Sequence, residues 1–318
     1  MKKNPKISII TCTYNRFHKL LKNINSVKKQ KYKNYEHFII DDGSTDKTFE
    51  YFSKNKDKKI NYLRLVDNSG QPTALFKSNV FKKLKGDYII ILDSDDYLLK
   101  NAFKTFLAYR NKFGEKFWNF AFDFTEKNKK NHKQKNNYTI TDSKDCFSNN
   151  HPRNIDNAGY RDFLNIRKKI FYKKLVKYFV SPDYWYSSQF EVSLNNTFKE
   201  IYIYNKIYFM SFDTDSITRG FNIKKYRKHV LKSRERLFAK YNEFMDKNFF
   251  IYTLKSLVMN YLVNKEYKNK IFNIISENKI FFLKNILFSI CILLLFILPS
   301  DFLLFIKSKI KQLRLKRY

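Results

Sequence analysis

Two short apolar runs in the first hundred residues each end in a knot of aspartates, and no other feature constrains this chain as strongly. Phe38-Ile39-Ile40 runs into Asp41-Asp42-Gly43-Ser44-Thr45-Asp46, and residues 88–92 run into Asp93-Ser94-Asp95-Asp96. Further apolar, β-branched runs at 7–10 and 60–66 complete a set of four. Between them lie helical patterns. Phe17, Leu20, Leu21, Ile24 and Val27 recur at helical spacing over 17–29, a helix around 46–54 opens on the capping types Ser44, Thr45 and Asp46, and another stretch covers 72–84. Strand and helix alternating at this spacing predict an α/β fold with βαβ units and a Rossmann-like, mostly parallel sheet with flanking helices. Parallel strands buried on both faces read as continuous apolar runs, as these do. Ligands of open α/β sheets sit beyond the carboxyl ends of the strands. Both acidic knots are therefore expected at one edge.

Carboxylates gathered at an edge need a positive partner. A hard divalent cation, Mn²⁺ or Mg²⁺, takes oxygen ligands and can bridge carboxylates to a substrate diphosphate. A separate aspartate can accept hydrogen bonds from a ribose hydroxyl or a base N–H. Taken alone, Asp-Gly-Ser-Thr-Asp reads equally well as a turn with a helix cap. Two such knots, each behind a buried strand, favour a ligand site. Three of the chain's six glycines, Gly43, Gly70 and Gly86, lie in this region, where a turn can require positive φ. Gly43 would also let a ligand approach the loop closely.

These residues, Ile7-Ser8-Ile9-Ile10-Thr11-Cys12-Thr13-Tyr14-Asn15-Arg16, residues 38–46 and Gly86-Asp87-Tyr88-Ile89-Ile90-Ile91-Leu92-Asp93-Ser94-Asp95-Asp96, resemble a family 2 glycosyltransferase of the GT-A fold in order and spacing over residues 5–100. The resemblance implies transfer of a sugar from a nucleotide-sugar donor, UDP-linked in the first instance, to an acceptor hydroxyl with inversion. It also implies roles. Thr13 and Tyr14 lie beneath the nucleotide, Asp42 meets a uracil-type base, Asp93 faces the ribose, and Asp95 binds the metal and diphosphate with Asp96 beside it. Lys77, after the Gly70 and Thr73-Ala74-Leu75 segment, is placed near the phosphates.

An inverting transferase needs a general base for the acceptor hydroxyl. In the family this is a carboxylate in the second half, shortly before a strand. Residues 201–204 read as that strand, which puts Glu191 first and Asp183 second. Trp185 and its flanking tyrosines serve either as a sugar platform or as core. Asp213, Asp215, Thr218 and Arg219 resemble the family's loop near the diphosphate. Residues 126–157 read as a polar loop or hairpin tip, and 161–180 as a helix with a solvated face.

Lys and Arg number 63 against 29 Asp and Glu, a formal charge of +34. Such an excess suggests nucleic acid or an anionic membrane. The abundance of Lys over Arg, with many Asn, Ile, Phe and Tyr and few Gly, is equally the pattern of an AT-rich genome. A nucleic-acid binder has no use for acidic knots at strand ends, so no nucleic-acid partner is expected. Cys12, Cys146 and Cys291 form no CxxC pair, which fits a reduced, cytosol-facing compartment. The amino-terminal apolar stretch is too short for a secretory signal. Near the carboxyl end, residues 280–283 and 286–298 give about 19 apolar positions, short of the roughly 20 a span needs. Lys307, Lys309, Lys311, Arg314, Lys316 and Arg317 follow. A single span would carry this basic tail away from a Lys-rich domain, against the positive-inside rule. An in-plane or re-entrant segment keeps both on the cytoplasmic face of the inner or plasma membrane.

The expected organisation is a GT-A catalytic domain over 1–220, an amphipathic helical extension over 221–279 and a membrane-attachment segment over 280–318. The expected partners are a nucleotide-sugar donor, a glycan or lipid-linked acceptor and a membrane surface. A sugar-phosphate nucleotidyltransferase is the enzyme rival, although residues 7–16 lack the Gly-rich phosphate loop it requires. A catalytically degenerate relative that only binds a partner is the other.

Overall fold

The amino-terminal apolar run continues beyond residue 10 to form β1 (Ile7–Thr13), the axis of the sheet. This computed structural model describes residues 4–125, 137–147, 151–152, 163–211, 223–245, 247–262 and 269–284. β2 (Tyr35–Asp41) and β4 (Tyr88–Ile91) pair with β1 in parallel on either side, and β3 (Ile60–Arg64) pairs in parallel with β2. Register places Thr13 opposite Asp41 and Ile10 opposite Ile91. The carboxyl end of β1 thus lies between the two acidic knots, as the βαβ pattern requires.

α1 (Phe17–Lys28), α2 (Thr48–Lys54) and α3 (Gln71–Lys77) fall where the periodicity places helices. The stretch expected as one helix over 72–84 is two. Asn79 adopts a left-handed φ of 51°, ending α3 and opening α4 (Val80–Lys83). At the start of α2, Asp46 acts as the cap, its Oδ1 accepting from the N–H of Thr48 at 3.0 Å.

Beyond β4 the sheet departs from the expected mostly parallel form. β8 (Leu164–Lys168) is antiparallel to β4 and to β6 (Phe117–Thr125), and β6 is parallel to β9 (Lys199–Phe209). β7 (Tyr138–Asp142) and β5 (Tyr97–Leu98) pair antiparallel with β9. The sheet is therefore mixed, in the order β3-β2-β1-β4-β8-β6-β9-β5 with β7 on β9. Two readings change with it. Residues 164–168 form a strand and the helix expected over 161–180 is confined to α6 (Lys169–Tyr178), because Leu164 and Ile166 alternate into the core while completing the free edge of β4. Within 126–157, residues 138–142 are strand, while 126–136, 148–150 and 153–157 lie outside the described residues.

Two apolar layers cover the sheet. On one face Ile7, Ile9, Tyr88 and Ile90 pack with Phe103 and Phe106 of α5 (Ala102–Phe113). On the other, Ile10, Ile40 and Ile89 meet Leu75 of α3, Phe171 and Leu175 of α6, and Trp185. Trp185 is thus core, its ring stacked 5.9 Å from that of Phe81. At the amino end of the strands Gly86 is obligatory. A Cβ there would lie 2.4 Å from Ser8 Oγ and 2.5 Å from Ser8 N.

The chain divides into compact units at Met1–Leu237 and Phe238–Tyr318, with α8 (Ile223–Tyr241) running across the boundary. In the second unit α9 (Lys247–Leu262) buries Leu254, Leu257 and Val258, and α10 (Lys270–Glu277) buries Ile271 and Ile274. α11 (Lys279–Lys284) exposes Ile280 and Leu283. No helix among the described residues is long and apolar enough to cross a membrane. The apolar segment at 286–298, the basic tail and Cys291 lie outside the described residues, as do Asp213, Asp215, Thr218 and Arg219.

His37 is buried in β2 with its Nε2 2.9 Å from Thr11 Oγ1. Burial, helped by the nearby Lys28 charge, pushes its pKa down to about 3. The unfolded chain binds that proton near pH 6.5, so this group removes stability as pH falls below 6.5 towards 3. We predict that His37→Gln flattens the pH dependence of urea unfolding, shrinking the loss between pH 7 and pH 5 by about 2 kcal/mol.

Candidate active site

β1 brings the two acidic knots together. Cys12, near its end, is half-buried, and its thiol pKa is raised by burial first and then by Asp93 and Asp42. It stands between the strands that carry them. Thr13 follows, 3% exposed, and among the described residues its Oγ1 has no hydrogen-bond partner, while its carbonyl accepts from the N–H of Asp42 at 2.9 Å. Tyr14 is exposed at the rim. A buried hydroxyl without a partner is costly unless something arrives to satisfy it.

The first knot is held by its own hydrogen bonds. Asp41 accepts from the Ser44 N–H and from the Tyr62 hydroxyl. Asp42 accepts from the Ser69 N–H at 2.9 Å, the Ser69 hydroxyl at 2.8 Å and the Gly70 N–H at 2.6 Å. An ionised carboxylate offers about four acceptor positions, so one remains. Gly43, expected to make room for a ligand, makes room for the chain itself. Its φ is 77°, and a Cβ there would lie 2.8 Å from Asp67 C.

The second knot is a turn gripped from α1. Asn23 donates its amide to the carbonyl oxygens of both Asp93 and Asp96, each at 2.9 Å. The turn is closed by the Asp96 N–H on the Asp93 carbonyl at 3.0 Å. Asp93 Oδ1 accepts from Gln71 Nε2 at 2.8 Å. Its pKa is raised, by burial and then by the charge of Asp95, against the lowering effects of Gln71 and Arg16. Asp95 Oδ2 pairs with Arg16 Nη1 at 2.9 Å. Asp96 turns aside and accepts from the Ser211 N–H at 2.8 Å through Oδ1. Segment 69–71 therefore laces the knots together, Ser69 and Gly70 on Asp42 and Gln71 on Asp93.

The other candidates lie elsewhere. Lys77 is exposed in the last turn of α3, at the opposite end from Gln71. Asp183 lies in a 3₁₀ turn, Pro182–Tyr184, that packs against α3. It pairs with Lys232 and its side chain retains 20% exposure. Glu191, in α7 (Trp185–Leu194), is 1% exposed and accepts from Arg236 Nη2 at 3.0 Å. The guanidinium of Arg236 also covers the Tyr184 ring at 4.3 Å.

The residues that sequence reasoning passes over are Arg16, Asn23, Ser69 and Gln71. Only Asn23 leaves a signal, a polar residue on the apolar face of α1 between Leu20 and Ile24, with no exposure.

Among the described residues no three His, Cys, Asp or Glu side chains gather closely enough to enclose a metal ion. The donor set nevertheless fits a hard cation held at an open site. Asp93 and Asp95 supply carboxylate oxygens, and the pKa of Asp93 is raised by burial first and by the charge of Asp95 second.

Fold and site together define an α/β protein with two acidic strand ends at one edge of its sheet, and comparison with known proteins gives the family. Residues 8–174, just over half of the 318, match the family model "Glycosyl transferase family 2". The chain belongs to that family. It is 34% identical over 120 residues to an Escherichia coli protein named "UDP-Glc:alpha-D-GlcNAc-diphosphoundecaprenol beta-1,3-glucosyltransferase WfaP", covering 35% of this chain and 47% of that one. Its matches span about two fifths of the length of other curated relatives, 42% and 40% in two cases. In fold it resembles Staphylococcus aureus TarS 1–349 solved in complex with UDP (TM-score 0.53, 18% identity, 84% of this chain and 72% of that chain). It also resembles the mannosyltransferase PcManGT of Pyrobaculum calidifontis, solved with GDP-Man and Mn²⁺ (TM-score 0.54, 12% identity, 81% and 72%).

Removing the Asn23 amide takes one donor from each of two carbonyls. Asn23→Ala should lower unfolding free energy by about 2 kcal/mol. It should also speed amide hydrogen exchange at Asp96 relative to the β1 amides, measured by NMR or mass spectrometry.

Proposed function

We propose that this chain transfers a sugar from a UDP-sugar to an acceptor hydroxyl with inversion, in the synthesis of a cell-envelope glycan or glycolipid. The observation that carries this is the pair of acidic strand ends converging on Cys12 and Thr13 in a member of this family. Thr13 and Tyr14 support the nucleoside, and the buried Thr13 hydroxyl gains its missing partner there. Asp42 offers its remaining acceptor position to a base N–H while keeping segment 69–70 in place. Asp93, oriented by Gln71, accepts from the ribose.

Asp95 would hold Mn²⁺ or Mg²⁺, with Asp93 beside it. When bound, the ion stabilises negative charge on the departing diphosphate. Asp96, tied to Ser211, keeps the turn in shape rather than serving as a ligand. Lys77 carries no role in this mechanism.

For the base we favour Asp183 over Glu191. Glu191 is closed off from solvent and held by Arg236, so taking up a proton would cost that guanidinium, only 16% exposed, its carboxylate partner. Asp183 is partly exposed on a turn against α3, the helix whose first residue reaches Asp93. From there it would accept the acceptor hydroxyl proton as the oxygen attacks the anomeric carbon.

The acceptor in the name of WfaP is a diphosphoundecaprenol-linked sugar. A lipid-linked acceptor agrees with the apolar and basic carboxyl-terminal sequence, which we assign to peripheral or monotopic attachment at the cytoplasmic membrane face.

Asp95→Asn should lower UDP release from the productive UDP-sugar about a thousand-fold, and EDTA should do the same to the wild type. Unchanged turnover in both would remove the assignment. Asp183→Asn should reduce kcat about a hundred-fold or more with donor KM little altered. Glu191→Gln should instead lower the Tm while leaving most of kcat in the folded fraction. The reverse pattern would make Glu191 the base.

A further inference from the structure

Arg16 has a position that the roles above leave unused. Its guanidinium reaches across 79 positions of sequence to Asp95 Oδ2, and the two side chains are 16% and 8% exposed. The backbone on either side is pinned to the first knot. Asn15, at a φ of 51°, donates its N–H to Ser44 Oγ at 3.0 Å, and its Oδ1 accepts from the Thr45 N–H at 2.7 Å. The Phe17 N–H donates to Asp46 Oδ2 at 2.9 Å. With both neighbours fixed, only the side chain of Arg16 can move relative to the acidic turn.

A guanidinium stays protonated at any pH the protein experiences, so Arg16 cannot leave Asp95 by losing its charge. It leaves only by displacement. The carboxylate it covers is the one assigned to the divalent cation, and two cations drawn to one carboxylate repel each other. A guanidinium moved off a carboxylate finds an equivalent partner in phosphate oxygens, which its planar fork also fits. A nucleotide diphosphate brings such oxygens to this turn.

We infer that Arg16 is a resident substitute cation for Asp95, displaced by the divalent ion and taken over by the donor diphosphate, so that metal and nucleotide bind cooperatively. The inference rests on the donor site proposed above. It makes Arg16 a positioning residue with a sign that a merely structural arginine would not have. Removing it should strengthen binding of the metal alone, and weaken the coupling between metal and nucleotide, which by linkage is the same in both directions.

The test is Mn²⁺ binding to the full chain, followed by the EPR signal of free Mn²⁺, with and without UDP. The proteins are wild type, Arg16→Gln, Arg16→Lys and Asp95→Asn, each checked for an unchanged circular dichroism spectrum. Without UDP, Arg16→Gln should bind Mn²⁺ about ten-fold more tightly than wild type, a change equivalent to one charge-assisted hydrogen bond. Arg16→Lys should fall between them. UDP should tighten Mn²⁺ binding strongly in wild type and weakly in Arg16→Gln. Equal or weaker Mn²⁺ binding by Arg16→Gln, with binding abolished in Asp95→Asn, would overturn the inference and leave the donor site intact. No Mn²⁺ binding by wild type or Arg16→Gln even with UDP, or unaltered binding by Asp95→Asn, would overturn the donor-site reading and this inference with it.

Discussion

Asn23 donates its side-chain amide to the carbonyl oxygens of Asp93 and Asp96, and the acidic turn owes its shape to that grip. A run of three aspartates in four residues repels itself, and left alone it would open. The grip comes from a helix fixed by Leu20, Ile24 and Val27, all buried. It also connects inward. Asn23 lies beside Thr11, and Thr11 beside His37, so a short polar chain runs under the end of β1 from one knot towards the strand that carries the other. Buried polar groups are tolerated in such a core only when they satisfy one another. Here they fix one loop against two strands.

Charge is balanced around that turn with little to spare. Asp42 is answered by three donors from segment 69–70, Asp93 by Gln71 and Asp95 by Arg16. The chain as a whole has a large positive excess, of which Arg16 is placed on this edge. The result is a site whose carboxylates are held by hydrogen bonds and one ion pair, with the pKa of Asp93 raised by burial and by Asp95. Such a site suits a ligand that brings its own cation.

Much of this was legible in the sequence, for reasons of period and punctuation. The runs at 7–10, 38–40 and 88–92 are short, apolar and β-branched, and the last two are ended by turn residues, so β1, β2 and β4 and the edge they share could be read directly. β8 was hidden because Leu164-Asn165-Ile166-Arg167-Lys168 flows into the helical pattern of α6 without a break. Its Arg167 is buried, lying over the Phe171 ring and bonded to Gln189, where a reading by polarity puts it in solvent. That strand, together with β5 and β7 antiparallel to β9, turns the expected mostly parallel sheet into a mixed one. The partners of the aspartates were harder to read for a different reason. Arg16 with Asp95, Asn23 with Asp93 and Ser69 with Asp42 are separated by 79, 70 and 27 positions, and nothing local ties one member to the other. The base was the least legible of all, since both candidate carboxylates are followed by the same strand and differ only in what α8 places against them.

The central claim is that the two acidic strand ends form one nucleotide-sugar site. It is tested most directly by a crystal structure of the chain with UDP and Mn²⁺, using anomalous scattering to place the metal. The expected result is a manganese peak within bonding distance of an Asp95 carboxylate oxygen. The uracil should lie against Thr13 and Tyr14, the ribose should be within hydrogen-bond reach of Asp93, and Arg16 should be turned from Asp95 to the diphosphate. An ordered UDP bound away from residues 13, 42, 93 and 95, or a metal peak with no contact to Asp95, would contradict it.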